Sequence, residues 1–419
     1  MARIQQWLLA PRHKSAGTKN AEAEIADGAP KFAGETEEMM RAQVLRAYDE
    51  KLSNDLWVGE EKVPDPKLTK STDVIVRIGG AGVCRTDLHI VEGVWKPHMD
   101  PSGDKLLPLI MGHENAGWIE EVGKEVEGLK KGDPVIVHPK ISGGTCLACR
   151  RGFDMHGPGT FPGLDCNGGY AEFLCTSERN IVPLPRTLAP KDVAPYADAG
   201  LTAYRAVKKA TRHLLPGESC VVIGAGGLGH IGIQCLKAMC AADIIVVDKS
   251  EASLKLAEKS GANHLMKADG NEVEAVLGLT GGNGAEAVID FVGEKGTTSK
   301  GLAMTRPMGS YYVVGYGEDI RVPTVDMVIT EKNIIGNLVG TWAELTELMA
   351  LADRDLVELA TTEYRLADAN KALHDLNAGE IHGPGRVNPL KDSCIIHREH
   401  AFPRDGSSER PSSCPCGVV

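Results

Sequence analysis

The chain is poor in aromatic residues, at 5% of its length, and carries nothing near the roughly 18 consecutive apolar residues that a membrane-spanning helix requires. It also lacks a surplus of positive charge. Its 46 Lys and Arg face 57 Asp and Glu, for a formal net charge of -11, which argues against nucleic acid and against an anionic membrane as partner. The N-terminus offers only the short apolar run Trp7–Ala10, too brief for the core of a secretory signal. The acid-rich stretch from Glu22 to Glu38 does not suit an organellar transit peptide. The 11 cysteines do not form a small disulfide framework: Cys220, Cys235 and Cys240 lie in apolar runs, as core thiols of a reducing compartment do. A cytoplasmic location is expected.

What is present is the composition of an ordinary globular protein, 42% hydrophobic and 25% charged, in a chain of 419 residues that is too long for one core. Residues 1–39, mixed in charge and without a period, read as a disordered extension. Residues 391–419, with Cys394, Cys414 and Cys416 among Ser, Pro and Arg, read as a disordered tail. From about residue 72 short apolar runs alternate with Gly, Pro and Asp, and strands are expected at 73–78, 117–122, 134–138 and 169–174. The character changes near residue 195. Apolar runs at 219–223, 244–247, 287–290, 311–314 and 333–339 alternate with helical segments, the pattern of a doubly wound parallel sheet. Two further helical segments lead to a closing stretch at 381–387. The expected class is α/β: a β-rich domain from 40–198 and 342–390, around a coenzyme domain at 199–341.

Gly224, Gly226 and Gly229 form G-x-G-x-x-G, a weak signal alone, but here it follows an apolar strand, opens a helix and precedes a second strand ending at Asp248. The first glycine permits a tight turn, the second lets backbone approach a pyrophosphate, and the third lets helix and strand pack closely. With Gly227 and Leu228, the turn presents free N–H groups and the positive end of the helix to the phosphates. Asp248, nineteen residues beyond Gly229, is placed to accept hydrogen bonds from the adenosine ribose and to repel a 2′-phosphate. NAD is therefore the expected coenzyme, with Lys249 leaving some tolerance of NADP.

In the first domain stand Gly82-Val-Cys84-Arg-Thr86-Asp87-Leu-His89 and Gly112-His113-Glu114-Asn-Ala-Gly117. Thiolate and imidazole are the preferred ligands of zinc, and a catalytic site keeps one position open. These motifs resemble those of the medium-chain zinc alcohol dehydrogenases, G-x-C-x-[ST]-D and G-H-E-x-x-G, and the resemblance runs from about residue 40 to 388. It implies a GroES-like catalytic domain, a Rossmann coenzyme domain, and zinc bound by Cys84, His113 and a third ligand from the joining stretch, where this chain has Asp198. Aspartate there resembles the bacterial secondary-alcohol dehydrogenases. Glu114 is implied as an exchangeable ligand or a neighbour of the metal, and Asp87 as the acceptor of the free His113 N–H. Thr86 would take the alcohol proton, and the relay the resemblance implies then runs through the nicotinamide ribose to His89 and out to water, while the metal lowers the alcohol pKa. Arg386 matches a late arginine that contacts the pyrophosphate. The substrate implied is a small apolar alcohol or ketone, and the assembly a homodimer or homotetramer.

Relatives often carry a second, structural zinc on four cysteines. Here Cys146 and Cys149 match the middle pair while Gly143 and Gly157 stand at the outer positions, so a structural zinc is not expected. Two other readings compete: a zinc polyol or aldehyde-type dehydrogenase of the same superfamily, and a non-catalytic NAD-binding scaffold. Zinc-free quinone reductases share the fold but lack such a Cys/His set.

Overall fold

A computed structural model of the chain describes residues 38–99, 106–381 and 383–392. The expected N-terminal extension (but for its last two residues) and the tail beyond residue 392 lie outside them. Met39, expected at the end of the extension, instead opens a strand, Met39–Leu45, that pairs with Val58–Pro64 and Leu109–Ile110 in a three-stranded sheet. Neither Met39–Leu45 nor Val58–Pro64 was expected from the sequence. Beyond Val58 the second alternates half-buried and exposed residues, but three charges among seven residues mask the pattern.

A seven-stranded sheet follows. Its long central strand, Asp73–Val83, pairs antiparallel with Asn115–Val122 on one side and with Phe173–Ser177 and Gly385–Asn388 along the other. The strand expected at 169–174 thus lies further along, because Gly169 and Tyr170 bond instead to the backbone of Gly112 and Met111. The closing segment brings the end of the chain back to its beginning: Arg386 stands opposite Gly82, two residues before Cys84.

Between these lies a six-stranded, wholly parallel sheet: β1 (Ser219–Ile223), β2 (Asp243–Asp248), β3 (His264–Lys267), β4 (Ala285–Asp290), β5 (Thr305–Val313) and β6 (Asn333–Gly336), in the spatial order 3-2-1-4-5-6. Successive residues of β1 face opposite cores. Cys220 and Val222 pack with the helices Ala199–Ala210 and Gly229–Met239, while Val221 and Ile223 pack with Val276, Met304 and Tyr311. A sheet buried on both faces needs nearly continuous apolar strands, as β1 and β2 are. The order reverses between β1 and β4, and open α/β sheets bind ligands beyond the strand ends at such a point. Among the described residues no helix is long and apolar enough to cross a membrane.

Candidate metal and dinucleotide site

Cys84 follows the central strand in an extended conformation and caps the helix Arg85–Val91. Asp87, in the first turn, returns its Oδ2 to the Cys84 N–H at 2.9 Å and so closes a capping box. Thr86 and His89 lie on the same short helix. Gly112 has φ +94°, and a Cβ there would meet the Tyr170 ring, so glycine is required to aim the next residue, His113, inward. A Cβ on Gly82 would collide with the Glu114 carboxylate, so this glycine makes the room that Glu114 occupies. Asp198 stands at the start of the helix Ala199–Ala210, where the chain passes from one sheet to the other.

Cys84, His113, Glu114 and Asp198 converge, with donor atoms all within 4.8 Å of one another. Nε2 of His113 is 3.1 Å from Cys84 Sγ and 3.4 Å from Asp198 Oδ2. Donors on a tetrahedral zinc stand about 3.5 Å apart, from metal–ligand lengths of about 2.0–2.3 Å. On its other side His113 Nδ1 faces Asp87 Oδ1 at 3.2 Å, and Tyr170, buried beneath, donates its hydroxyl toward Asp87 Oδ2. Glu114 accepts the Ala199 N–H through Oε1 and leaves Oε2 buried without a partner.

The electrostatics ask for a cation. Burial pushes the Cys84 thiol up to about 11, only partly offset by His113. Burial also raises Glu114 well above the usual carboxylate range. Burial alone would lower His113, but the Cys84 and Asp87 charges and hydrogen bonds to Asp198 and Asp87 raise it well above an ordinary histidine. One imidazole thus serves a thiol and three carboxylates in a buried space. A divalent ion would relieve all of them at once, and the donor set of thiolate, imidazole and carboxylate is that of zinc.

At the parallel sheet, Gly224 has φ +86°, and a Cβ on Gly229 would strike the Gly224 carbonyl. A Cβ on Gly226 or Gly227 would meet nothing within 4 Å, which leaves open space in front of the turn for a phosphate group. Leu228 caps the helix Gly229–Met239. Asp248, at the end of β2, accepts the Ala225 N–H and the Ser250 N–H, each at 2.7 Å, so it braces the turn; Lys249 beside it is exposed.

Arg386 is placed otherwise than as a free phosphate ligand. Buried on the closing strand, it donates to the Lys191 carbonyl and to Asp192 Oδ1 and lies 3.5 Å from Glu363, so carboxylates take up its charge. In the second lobe Cys146 and Cys149 lie with sulfurs 3.3 Å apart. A Cβ on Gly157 would meet both sulfurs, while Asp154 is engaged by Ser142 and Arg179.

Sequence reasoning passed over Tyr170 and Tyr316. Tyr316 follows β5 in Gly315-Tyr316-Gly317, and its hydroxyl is 2.7 Å from His89 Nδ1. A lone Gly-Tyr-Gly at the carboxyl end of a parallel strand was the available signal.

The profile of the alcohol dehydrogenase GroES-like domain matches residues 70–186, and that of the zinc-binding dehydrogenases matches 227–354. Together with the parallel sheet and the metal-ready tetrad, these matches place the chain in the medium-chain zinc alcohol dehydrogenase family. A relative from Sulfurisphaera tokodaii, an NAD-dependent alcohol dehydrogenase, is 36% identical over 75% of this chain and 92% of its own length. A D-arabinose 1-dehydrogenase (NADP(+)) of Saccharolobus solfataricus is 34% identical over 83% of this chain and 97% of its own. The crystal structure of the alcohol dehydrogenase from Aeropyrum pernix superposes with a TM-score of 0.78 at 44% identity, covering 83% of this chain and all of that one.

Proposed function

We propose that the chain is an NAD-linked alcohol dehydrogenase, interconverting alcohols with ketones or aldehydes, and that secondary alcohols are its substrate class. The observation that carries this reading is the convergence of Cys84, His113, Asp198 and Glu114, with His113 and Glu114 buried, at the start of the helix that carries Thr86. In it Cys84, His113 and Asp198 hold zinc, with Glu114 as neighbour or exchangeable ligand and Asp87 fixing the His113 ring. Zinc there would supply a Lewis acid that lowers the pKa of the alcohol oxygen. Thr86 receives the alcohol proton and His89 passes it toward water. Burial and the charge of Arg85 lower the His89 pKa, which keeps the imidazole neutral and ready to accept. The turn Gly224–Gly229 binds the pyrophosphate through backbone N–H groups, and Asp248 accepts the ribose hydroxyls. In this reading residues 40–198 and 342–390 form the catalytic part and 199–341 the coenzyme part. Secondary alcohols are favoured because Asp198 stands where many relatives have cysteine.

The similarity to a sugar dehydrogenase supports a second reading, a polyhydroxy substrate oxidised with NADP. Two features favour the first: the Asp248 carboxylate beside the ribose site, and the aromatic rings of Trp95 and Tyr316 near Thr86. We place the protein in the cytoplasm as a homodimer or homotetramer. Supporting an assembly, β6 lies at the sheet edge and the segment before it exposes Val325, Val328 and Ile329.

The test is zinc per chain by atomic emission, for the natural sequence and for Cys84→Ala, alongside 2-propanol-dependent formation of NADH. About one zinc, lost with activity in the variant, is the expected result for a single three-ligand catalytic site. A metal-free, inactive but folded protein would leave the NAD-binding scaffold as the better account, and turnover of aldoses alone would favour the second reading.

A further inference from the structure

We propose that Cys146 and Cys149 form a redox modification site, a dithiol that closes to a disulfide on meeting a small anionic disulfide of the glutathione class. The proposal does not rest on the dehydrogenase reading above.

The loop that carries the two cysteines is pinned on both sides. Its ends pair as short antiparallel strands, Ile141–Ser142 with Gly159–Thr160. Across it Asp154 accepts hydrogen bonds from Ser142 and from Arg179, the second at 3.0 Å. Cys146 stands just before the short helix Leu147–Arg150, and Cys149 lies within it. The Cys149 N–H donates to Cys146 Sγ at 3.4 Å, and the two sulfurs are 3.3 Å apart. Bonded sulfurs stand about 2.05 Å apart, so closure asks for an approach of only about 1.2 Å.

No metal site closes around the pair. Gly143 and Gly157 flank it without side-chain donors, and a Cβ on Gly157 would lie 2.5 Å from Cys149 Sγ and 3.2 Å from Cys146 Sγ. Among the described residues, the one cluster of three or more His, Cys, Asp or Glu donors is the tetrad around His113. Each sulfur is thus left with the other as its partner, and both remain free thiols. The pair can also be reached. Cys146 is half-buried, and Cys149 lines a cavity of about 460 Å³ together with Arg150, Glu178, Arg179 and Trp342. Arg150 and Arg151 are exposed and form no ion pair among the described residues, which favours an oxidant that carries negative charge.

The Cys149 N–H and thiol lower Cys146 below the usual thiol value, while burial and Cys146 raise Cys149. Cys146 is therefore the attacking sulfur, because the thiolate is the nucleophile. It attacks one sulfur of R–S–S–R, the S–S bond breaks, and R–S⁻ leaves and takes up a proton. The Cys149 thiol then loses its proton and attacks the Cys146 sulfur of the mixed disulfide, expelling the second R–S⁻. The protein gives up two electrons and two protons as its S–S bond forms, and the small disulfide is reduced to two thiols. Excess R–SH reverses both steps, so the pair follows the surrounding thiol–disulfide ratio.

The test equilibrates the full chain in buffers of varied reduced to oxidised glutathione ratio, then quenches with acid and alkylates. Cleavage at Lys140 and Arg150 releases 141–150, which carries these two cysteines and no other. In the natural protein this fragment is expected to turn lighter by two hydrogens and closed to alkylation as the ratio becomes oxidising, and to reopen in reduced glutathione. Cys149→Ser is expected to stop at a glutathione adduct on Cys146. Cys146→Ser is expected to form its adduct at least about 10-fold more slowly than C149S, for want of the more acidic thiol. Zinc by atomic emission is expected to be equal in the reduced and oxidised protein. Two free thiols persisting in oxidised glutathione would overturn the proposal, as would adducts on both cysteines without closure. A zinc ion that is lost in C146S and blocks oxidation would overturn it too, since the pair would then be ligands. All of these outcomes are read without turnover, so they leave the dehydrogenase reading where it stands.

Discussion

The Asp87 carboxylate stands 3.2 Å from Nδ1 of His113, and its other oxygen accepts the amide N–H of Cys84 at 2.9 Å. One buried side chain thus orients two of the proposed metal ligands, the first through its ring and the second through its backbone. Tyr170 adds its hydroxyl to the same carboxylate. The arrangement leaves Nε2 of His113 as the nitrogen turned toward Cys84 and Asp198.

Replacing Asp87 with Ala should therefore weaken zinc binding by about 10–100-fold, the usual cost of losing a partner that orients a ligating histidine. Competition with a chromophoric chelator measures this directly. Asp87→Asn keeps an acceptor for the Cys84 N–H and should fall between. Equal zinc affinity in all three proteins would mean that Asp87 serves the helix cap alone.

At the glycine turn Asp248 accepts the Ala225 N–H, and in the proposed reading its charge also stands beside the coenzyme ribose. Asp248→Asn retains an acceptor oxygen and removes the charge. The expected outcome is a fall of about 10-fold or more in the preference for NAD over NADP, read as the ratio of kcat/KM values, from lost repulsion of the 2′-phosphate. An unaltered ratio would place the discrimination elsewhere, with Lys249 the next residue to vary.

Much of this was legible beforehand, and the reason is local. The glycine turn, the strand before it and the acid after it are contiguous, and each glycine answers a steric demand that the structure makes explicit at Gly224 and Gly229. Cys84, Thr86, Asp87 and His89 share one short helix and its cap, so their spacing alone puts them together. Contacts between distant segments were not legible. Nothing in Gly385–Asn388 announces that Arg386 will lie beside Asp192 and Glu363, because its partners lie on the segment Pro190–Val193 and the strand Thr362–Arg365. Tyr316 is 227 residues from His89 in sequence, and only the loop packing at Gly293 and Gly315 brings them into contact. The strand Met39–Leu45 was missed for a further reason: its partner Val58–Pro64 is too charged to read as a strand on its own.

His89 gives a pH dependence whose sign is fixed. Burial and Arg85 lower its pKa below the ordinary histidine value of 6.5. In the proposed role of His89 the neutral form accepts a proton during alcohol oxidation, so a lowered pKa extends activity to more acid pH. Oxidation should hold through pH 6.5 and decline only as pH falls through the depressed value. His89→Gln should remove that acid limb and lower kcat by about 10-fold or more, the scale of a positioned acid–base group. Initial rates from acid to neutral pH check it, and an acid limb that persists in H89Q would assign it to another group.

The last prediction concerns what keeps the proposed ligand Asp198 in place. The helix it opens, Ala199–Ala210, is clamped to the helix Trp342–Ala352 by Arg205, whose Nη1 is 2.6 Å from Glu344 Oε2 with both side chains largely buried. Glu344 also accepts the Thr341 N–H in a capping box, so its carboxylate serves two elements at once. Burial opposes the charge on Glu344, but the Thr341 N–H and Arg205 overcome it and hold the carboxyl below its usual range. A depressed carboxylate stabilises the fold fully above its unfolded value and loses that contribution as pH falls through the folded one. Glu344→Ala leaves Arg205 buried without its partner and should cost about 3–5 kcal/mol near neutral pH, with Glu344→Gln costing less. Denaturant unfolding of the three proteins measures it. The gap between the natural protein and E344Q should narrow on acidification, since protonation then does to Glu344 what the amide does permanently. A gap that stays constant with pH would assign the loss to the helix cap and not to the ion pair.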